Sequence, residues 1–365
     1  MRIKQLQFNS LRNYESFHLT FPNNTTIFIG NNAQGKTSIL EAIYILAFTK
    51  SHRSVKDVDV IRFGDDFAKI NALIHLNDRD IQLDIILSKL GKKVKYNQIE
   101  LDRLSEYIGL LNVVMFAPED LELIKGNPKD RRKFLDVEIG QISSNYVYNL
   151  QQYRKILKQR NDLLKTMQKS MDKNELLLDV ITDQLIDYQE QIMTLRTSFL
   201  ASVERYAINH YKQLSSSEDI LKIEYIPSLK GNIKEEYISK YQYDIITGTT
   251  NLGIHRDEVE FHLNNHPLKT HGSQGEQRTA VLAVKLALID FIYQHKQEYP
   301  VLLLDDVLSE LDDTRQTNLL QYINKDIQTF ITTTDIHDID VEHIKEYQLY
   351  KIDDGNVKEC DKHGQ

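Results

Sequence analysis

The sequence predicts an α/β fold with a phosphate-binding loop and an inserted all-α segment, and three observations lead to it. Residues 30–37 read glycine, four residues, then Gly-Lys-Thr, between a strand-like run and a helix-like run. Residues 141–230 contain no glycine and one proline, and apolar residues recur there at heptad spacing. Residues 301–306 form an apolar run that ends in two aspartates. A strand, a glycine loop and a helix in that order are typical of P-loop proteins, whereas a sustained heptad pattern indicates paired helices.

The glycine loop is the strongest functional signal in the chain. The run before it is β-branched and apolar, and the run after it favours a helix. Gly30 and Gly35 allow backbone amides to approach phosphates. Lys36 is expected to be an exposed arm that reaches the β- and γ-phosphates, and the Thr37 hydroxyl can bind Mg²⁺. A glycine turn that binds no nucleotide is the alternative. The predicted nucleotide ligands are Gly30, Asn31, Asn32, Ala33, Gln34, Gly35, Lys36 and Thr37.

Strand patterns lie on both sides of the loop. Residues 1–29 contain three strand-like runs, and residues 68–74 and 81–87 alternate apolar and polar side chains, as antiparallel strands with one buried face do. Residues 113–116 read as a buried strand. The lysine-rich turn at 89–93 predicts a solvated hairpin tip, with contact to a phosphate backbone as the alternative.

The central part of the chain predicts two long helices folded back on each other as an antiparallel arm. Apolar residues there alternate spacings of three and four, which is the heptad seam of a coiled coil. An ordinary helical bundle packed on the core is the alternative. We expect the arm at residues 129–239 and a head formed by residues 1–128 and 240–365. The seam positions are Leu150, Tyr153, Leu157, Leu164, Met167 and Met171, with Arg160 in one slot, and Leu178, Ile181, Leu185, Tyr188, Ile192, Leu195 and Phe199.

The C-terminal part supplies further candidate site residues. Asp305 and Asp306 end an apolar strand, where one carboxylate can hold Mg²⁺ and its neighbour can polarise a water. Ser273 opens a helix expected over residues 278–293, and a helix N-terminus binds phosphate. A further strand begins at Thr329 and ends in a threonine run that reaches Thr334, and we expect this run to lie beside the γ-phosphate, with Thr334 as a nucleotide ligand.

Composition limits the function classes. The formal charge of the 365 residues is −8, so any contact with DNA must come from a local basic patch. The candidate patches are Arg53 with Lys56, and residues 131–133; the alternative is that both are solvated or paired with nearby aspartates. The only cysteine is Cys360, which excludes an internal disulfide, and the first residues have no apolar signal core. We therefore expect a cytoplasmic protein.

These motifs resemble the ATP-binding-cassette heads of the SMC class and, more closely, the bacterial recombination mediators of the RecF family. The resemblance is carried by Gly-x-Asn-Ala-x-Gly-Lys-Thr, Ser-Gln-Gly-Glu-Gln-Arg and Leu-Leu-Leu-Asp-Asp-Val-Leu-Ser-Glu-Leu-Asp, and it extends to Phe-Ala-Pro-Glu-Asp-Leu, Arg-Arg-Lys-Phe-Leu-Asp and Gly-Ile-His-Arg-Asp. It covers essentially the full length. The implied fold is an ATP-binding-cassette head with an inserted helical arm.

The resemblance also implies residue roles. Residues 30–37 would be the Walker A loop, Asp305 the carboxylate on the Mg²⁺ side, and Asp306 the general base, in a position where most cassette ATPases have glutamate. Lys36 would join Asp306 in catalysis. Residues 309–312 would be the D-loop. The sequence departs from the pattern in two places. Thr334 or a neighbour stands where transporters carry a switch histidine, and residues 116–120 contain no identifiable Q-loop glutamine. The implied signature residues, with Asp312 of the D-loop as a further ligand, are Ser273, Gly275, Glu276 and Gln277.

The resemblance finally implies a mechanism. Two heads would sandwich two ATP molecules with Mg²⁺, hydrolysis would be weak and DNA-dependent, and the dimer would bind gapped or single-stranded DNA. The implied partners are RecR and RecO, and indirectly RecA, in replication, recombinational repair and the SOS response. Alternatives are a nuclease-bearing relative with a similar head, a structural clamp of the SMC class and a transporter-type cassette.

Overall fold

The computed structural model describes residues 1–169, 174–215, 217–323 and 326–360, without the side chains of residues 310, 313, 314 and 322. The seam position Met171 lies outside the described residues. The strands are β1 (Arg2–Leu11), β2 (Tyr14–Thr20), β3 (Thr25–Ile29), β4 (Phe67–Leu76), β5 (Arg79–Ser88), β6 (Gly91–Tyr96), β7 (Ile99–Leu101), β8 (Val113–Phe116), β9 (Leu221–Ile226), β10 (Glu258–Leu263), β11 (His266–Pro267), β12 (Val301–Asp305), β13 (Thr329–Thr333), β14 (Tyr347–Asp353) and β15 (Asn356–Cys360). The helices are α1 (Lys36–Phe48), α2 (Leu104–Tyr107), α3 (Glu122–Lys125), α4 (Pro128–Gly140), α5 (Ser144–Lys169), α6 (Glu175–Ser215), α7 (Ile233–Thr247), α8 (Leu268–His271), α9 (Gln274–Lys296) and α10 (Asp313–Ile323).

A central sheet brings the two ends of the chain together. Its order is β15-β14-β3-β13-β12-β8, and all neighbours except β14 and β15 run parallel. The strand before the glycine loop, β3, is therefore separated from the strand that ends in Asp305 by β13 alone. Because parallel strands end at the same edge, the residues that follow β3, β13 and β12 meet there, as ligand sites in open α/β sheets do.

The helix that follows the glycine loop is buried on nearly all sides. The antiparallel sheet β2-β1-β4-β5-β6-β7 covers one side of α1, and the central sheet covers the other. Ile39, Ile43 and Leu46 are fully buried and share one apolar cluster with Phe8 of β1 and Phe330 of β13. This burial fixes the start of α1, and with it the position of the loop.

The predicted antiparallel helix pair is present. Asn149 of α5 donates to Gln191 of α6 at 2.9 Å and Arg160 donates to Thr182 at 3.0 Å, so residue numbers fall along one helix as they rise along the other. The seam positions Leu178, Leu185 and Ile192 are fully buried. The pair also packs on α7 and α9 and shares one apolar cluster with the central sheet. The antiparallel arm and the bundle packed on the core, which were alternative predictions, are therefore each correct in part. The two helices pair through heptads, and the pair lies against the core.

Two features of the insertion were not anticipated. Residues 221–226 form β9, which pairs antiparallel with β10, so the described part of the insertion contains this strand besides its helices. Helix α7 runs from its cap at Asn232 to Gly248, whose φ of 62° ends it. A boundary between residues 239 and 240 would split this single helix; the division into head and arm otherwise stays a prediction. In the described parts of the chain, no helix combines the length and the apolar composition needed to span a bilayer.

Candidate nucleotide-binding site

The loop between β3 and α1 requires its two glycines. A Cβ atom at Gly30 would overlap the carbonyl oxygen of Ile352. Gly35 has a φ of +107°, and a Cβ atom there would lie 2.8 Å from the Tyr14 ring. Both contacts are closer than real Cβ atoms allow, so the loop keeps this course only with glycine at both positions. The backbone amides of the loop thus lie at the start of α1, where its dipole favours negative charge.

The expectation that Lys36 is an exposed arm is wrong. Only 3% of this residue is exposed, and its Nζ donates to the carbonyl oxygens of Gly30 at 2.6 Å and Asn31 at 3.2 Å. The physical reason is that the loop wraps around the side chain, and an ammonium group out of water must find acceptors. Phosphate oxygens bound within this loop would replace the carbonyls as partners.

Two hydroxyls converge on the carboxylate at the end of β12. Thr37 Oγ1 donates to Asp305 Oδ1 at 3.0 Å, and Thr332 Oγ1 donates to the same oxygen at 2.7 Å. Burial raises the pKa of Asp305 above its ordinary value, although these two hydrogen bonds act in the opposite direction. Mg²⁺ prefers oxygen ligands, usually one or two protein groups together with phosphates and water. The pair formed by Thr37 and Asp305 fits that requirement.

Asp306 lines the cleft over the loop, at a sharp turn of the chain after β12. Its φ is 51°, in the left-handed region, and its amide donates to Thr332 Oγ1 at 3.0 Å. Asp305 is buried, whereas Asp306 lines the cleft over the loop. The two acids that are adjacent in sequence have different surroundings, which suits two different roles.

The cleft over the loop has a volume of roughly 530 Å³ and includes residues that the sequence did not single out for nucleotide binding. Arg12 donates to the carboxylate of Glu41 at 2.8 and 2.6 Å. Burial would raise the pKa of Glu41, but the bonds from Arg12 and Ser51 hold it below its ordinary value. The side chain of Phe63 is fully exposed at the mouth of the cleft. No periodicity or motif marks Arg12 or Phe63, since only the fold brings them to the loop.

The side chains of the two predicted basic patches have different surroundings. Arg53 lines the cleft and Lys56 is exposed nearby. Arg131, in contrast, is buried and donates to both carboxylate oxygens of Glu258, at 2.6 and 2.7 Å. Arg132 donates to the carbonyl oxygen of Asp257 at 2.8 Å. Residues 131–132 therefore connect α4 to the region of β10 and are not a free basic surface.

The predicted signature segment, residues 273–277, begins α9 with a capping box. Ser273 Oγ accepts from the amide of Glu276 at 3.3 Å, and the Glu276 carboxylate accepts from the amide of Ser273 at 2.7 Å. This exchange explains the Ser-x-x-Glu spacing, since each side chain satisfies an amide that the helix leaves free. Gln277 faces the other way: its side chain is buried and donates to the carbonyl oxygen of Leu268 at 2.8 Å. The structure thus places Gln277 inside the protein, away from the exposed helix end.

The signature segment lies in a second cleft, of roughly 440 Å³. Ser273, Gly275, Glu276 and Asp312 line it, so the structure brings the predicted signature and D-loop residues together. Among the described residues, none lines both this cleft and the one over residues 30–37. One chain therefore presents the two predicted halves of a nucleotide site in separate places.

The structure also places Thr334 and the segment where a Q-loop was expected. Thr334 is exposed and donates to Asp338 at 3.4 Å, and it lines neither cleft; the threonine that contacts Asp305 is Thr332. Where a Q-loop was expected, Asp120 forms an ion pair of 2.6 Å with Lys285 of α9. This pair of a buried lysine and a partly buried aspartate connects the segment after β8 to the middle of the signature helix.

Comparisons with known proteins agree with this architecture. The family model described as the RecF/RecN/SMC N-terminal domain matches residues 2–355. The DNA replication and repair protein RecF of Shouchella clausii is 46% identical, over 98% of this chain and 99% of its own, and that of Bacillus cereus strain ZK is 45% identical, over 98% of both. A solved recombination mediator RecF–ATP of the RecFOR pathway is 30% identical with a TM-score of 0.91, covering 98% of this chain and 97% of its own.

A more distant structure shows the fold alone. The Smc head domain of Pyrococcus furiosus is 15% identical, with a TM-score of 0.56, and the match covers 98% of this chain and 95% of that one. It shares the mixed α/β head with a long helical insertion. The chain therefore belongs to the RecF family of DNA replication and repair proteins, a family of ATP-binding-cassette ATPases.

Proposed function

We propose that this chain is an ATP-gated DNA-binding protein whose two copies close over two ATP molecules. The observation that carries the proposal is the separation of the clefts: Lys36 and Thr37 lie in one and Ser273 lies in the other. A second copy can supply the missing half, because its signature segment is exposed at a helix N-terminus that favours phosphate. ATP binding would thus be coupled to dimerisation.

The P-loop cleft supplies the groups that ATP needs. Lys36 would exchange its loop carbonyls for phosphate oxygens, and Thr37 with Asp305 would hold Mg²⁺, which neutralises charge on the phosphates. The exposed ring of Phe63, beside Ile61, would give the nucleobase of ATP an apolar surface to pack against. Asp306 would accept the proton of the attacking water, since this residue lines the same cleft.

Hydrolysis in this arrangement would be slow. Asp306 is one methylene shorter than the glutamate of most cassette ATPases, and its backbone is held in place by Thr332. Thr334, in the place of the switch histidine, is bound to Asp338. ATP would therefore act mainly as a timer: its binding closes the dimer on DNA, and its weak, DNA-dependent hydrolysis opens it.

The family supports the biological setting. A relative is named as a recombination mediator of the RecFOR pathway, and others as DNA replication and repair proteins. We propose that the dimer binds gapped or single-stranded DNA in the cytoplasm, works with RecR and RecO to load RecA, and supports recombinational repair and the SOS response. Arg53, Lys56 and Lys133 are exposed, and Lys133 lies against His52, so these residues support contact with DNA beside the cleft.

Sedimentation velocity tests the proposal. The purified chain is compared alone, with ATP, with a gapped duplex, and with both. We expect a monomer alone, a dimer with ATP and a dimer on DNA only when both are present. DNA binding of equal strength without nucleotide, or a monomer under every condition, would contradict the proposal.

A further inference from the structure

The guanidinium group of Arg315, on the first turns of α10, connects the two predicted segments of the second cleft. On one side, its Nε and one terminal nitrogen donate to Thr279 Oγ1 of α9, at 3.0 and 2.7 Å. On the other side, its second terminal nitrogen forms an ion pair with the Asp312 carboxylate. The backbone amide of Arg315 also donates to Asp312 Oδ1, at 2.9 Å. One planar side chain therefore holds both segments.

The hydroxyl that receives this fork is itself fixed. Thr279 is 1% exposed, and its Oγ1 donates to the carbonyl oxygen of Gly275 at 2.7 Å. A chain of hydrogen bonds thus runs from the Asp312 carboxylate through the arginine and the threonine to the first turn of the signature helix. Fork-like contacts of arginine fix geometry as well as adding energy, because the donors have rigid relative positions.

The inference drawn from this connection rests on the proposed function. Ser273 and Asp312 would both have to meet the nucleotide of the second copy at the same time. The D-loop follows β12, whereas the signature segment begins α9, so they belong to different elements. Arg315 connects them directly within the cleft that both line.

We propose that Arg315 is a positioning residue that holds Asp312 against the signature helix, so that both face the nucleotide of the second copy as one preformed surface. Without the fork, each segment would have to be ordered separately when the dimer closes. Preorganisation of this kind lowers the cost of association without adding contacts to the ligand. The expected consequence is weaker ATP-dependent dimerisation with unchanged ATP binding, since the P-loop cleft is separate.

Thr279 provides the sharpest variants, because it keeps Arg315 and its charge intact. Thr279→Val has nearly the same shape but lacks the hydroxyl, and Thr279→Ser is the matched control that retains it. Arg315→Ala removes the fork itself. The dimer dissociation constant is measured by light scattering over a protein dilution series at saturating ATP. Binding of a fluorescent ATP analogue by the dilute monomer and the thermal unfolding midpoint are measured for every variant.

We expect the dissociation constant to rise about ten-fold or more in Thr279→Val and Arg315→Ala, as the loss of a charge-assisted hydrogen bond implies, and to stay near wild type in Thr279→Ser. Nucleotide binding by the monomer should be unchanged in all three. A Thr279→Val chain that dimerises as tightly as wild type would overturn the positioning role, as would equal weakening in Thr279→Ser. A wild-type chain that stays monomeric with ATP would overturn the proposed function, and this inference with it.

Discussion

At the scale of single residues, the turn after β12 gives two adjacent aspartates different surroundings. Asp305 is buried and accepts from Thr37 and Thr332, whereas Asp306 adopts a left-handed backbone and lines the open cleft. A buried, hydrogen-bonded carboxylate is suited to hold a cation, and a carboxylate facing water is suited to accept a proton. This difference allows the two roles to be tested separately.

Asp306→Asn should bind ATP but hydrolyse it at least about a hundred-fold more slowly, because the amide cannot accept a proton. Asparagine tolerates the φ of 51° found at this position, so the fold should be preserved. Phosphate release under single-turnover conditions measures the rate. Asp59→Asn, which also lines the cleft, is the matched control and should hydrolyse ATP at nearly the wild-type rate. Equal rates for Asp306→Asn and wild type would place the general base elsewhere.

Lys36→Ala should abolish ATP binding while the protein stays folded. The side chain donates to the carbonyl oxygens of Gly30 and Asn31, so its removal leaves the apolar contacts of α1 intact. Equilibrium binding of a fluorescent ATP analogue and the far-UV circular dichroism spectrum measure the two expectations. Lys56→Ala, an exposed neighbour outside the loop, serves as control and should bind normally. Unchanged affinity in Lys36→Ala would refute the P-loop assignment.

At the scale of elements, the helical insertion contains a buried ion pair. Arg160 occupies a seam position of α5 and is fully buried, and its terminal nitrogen donates to Asp244 of α7 at 2.9 Å. The rings of Tyr237 and Tyr241 lie 5.3 and 5.6 Å from the guanidinium carbon. Removing one partner of such a pair leaves an uncompensated charge, which is costly in a low-dielectric interior.

Asp244→Ala should therefore lower the free energy of unfolding by about 3–5 kcal/mol. The exposed pair of Lys234 and Asp183, which joins α7 to α6, gives a matched control, because Asp183→Ala should leave the free energy of unfolding close to that of wild type. Urea unfolding followed by circular dichroism compares the two variants. Similar losses in both would mean that the buried pair does not hold α7 on α5.

The sequence predicted the elements whose signals are local. The P-loop, the heptad seam, the strand ending at Asp305 and the helix opened by Ser273 each depend on neighbouring residues, and the structure contains all four. Partners distant in the chain were missed: Arg12 meets Glu41, Arg160 meets Asp244, and Arg315 meets Thr279. Such contacts depend on how elements pack, which periodicity and spacing do not encode. The burial of Lys36 was missed for the same reason.

At the scale of the whole molecule, binding to DNA should be sensitive to salt despite the formal charge of −8. Each phosphate that a cation neutralises releases counterions, so a plot of log affinity against log salt concentration should fall steeply. The double variant Arg53→Ala/Lys56→Ala should reduce this slope by about 2 if both contact phosphates. Fluorescence anisotropy with a gapped duplex and ATP measures it, and Lys234→Ala on the helical insertion is the control. A flat salt dependence in wild type would argue against phosphate contacts.

The central claim is that two chains share each ATP, and mixing two inactive variants tests it most directly. Ser273→Arg leaves residues 30–37 untouched, so the variant should bind ATP, but the bulky cation should block dimerisation. Lys36→Ala lacks ATP binding but keeps the signature segment. Together they still form one composite site, from the intact loop of one chain and the intact Ser273 of the other.

The measurement is the molar mass by light scattering with ATP, for each variant alone and for an equimolar mixture. Sharing of ATP predicts monomers for each variant alone and a partial recovery of the dimer in the mixture. An ATP-dependent dimer of Ser273→Arg alone that is as tight as wild type, or no recovery in the mixture while wild type dimerises, would contradict it.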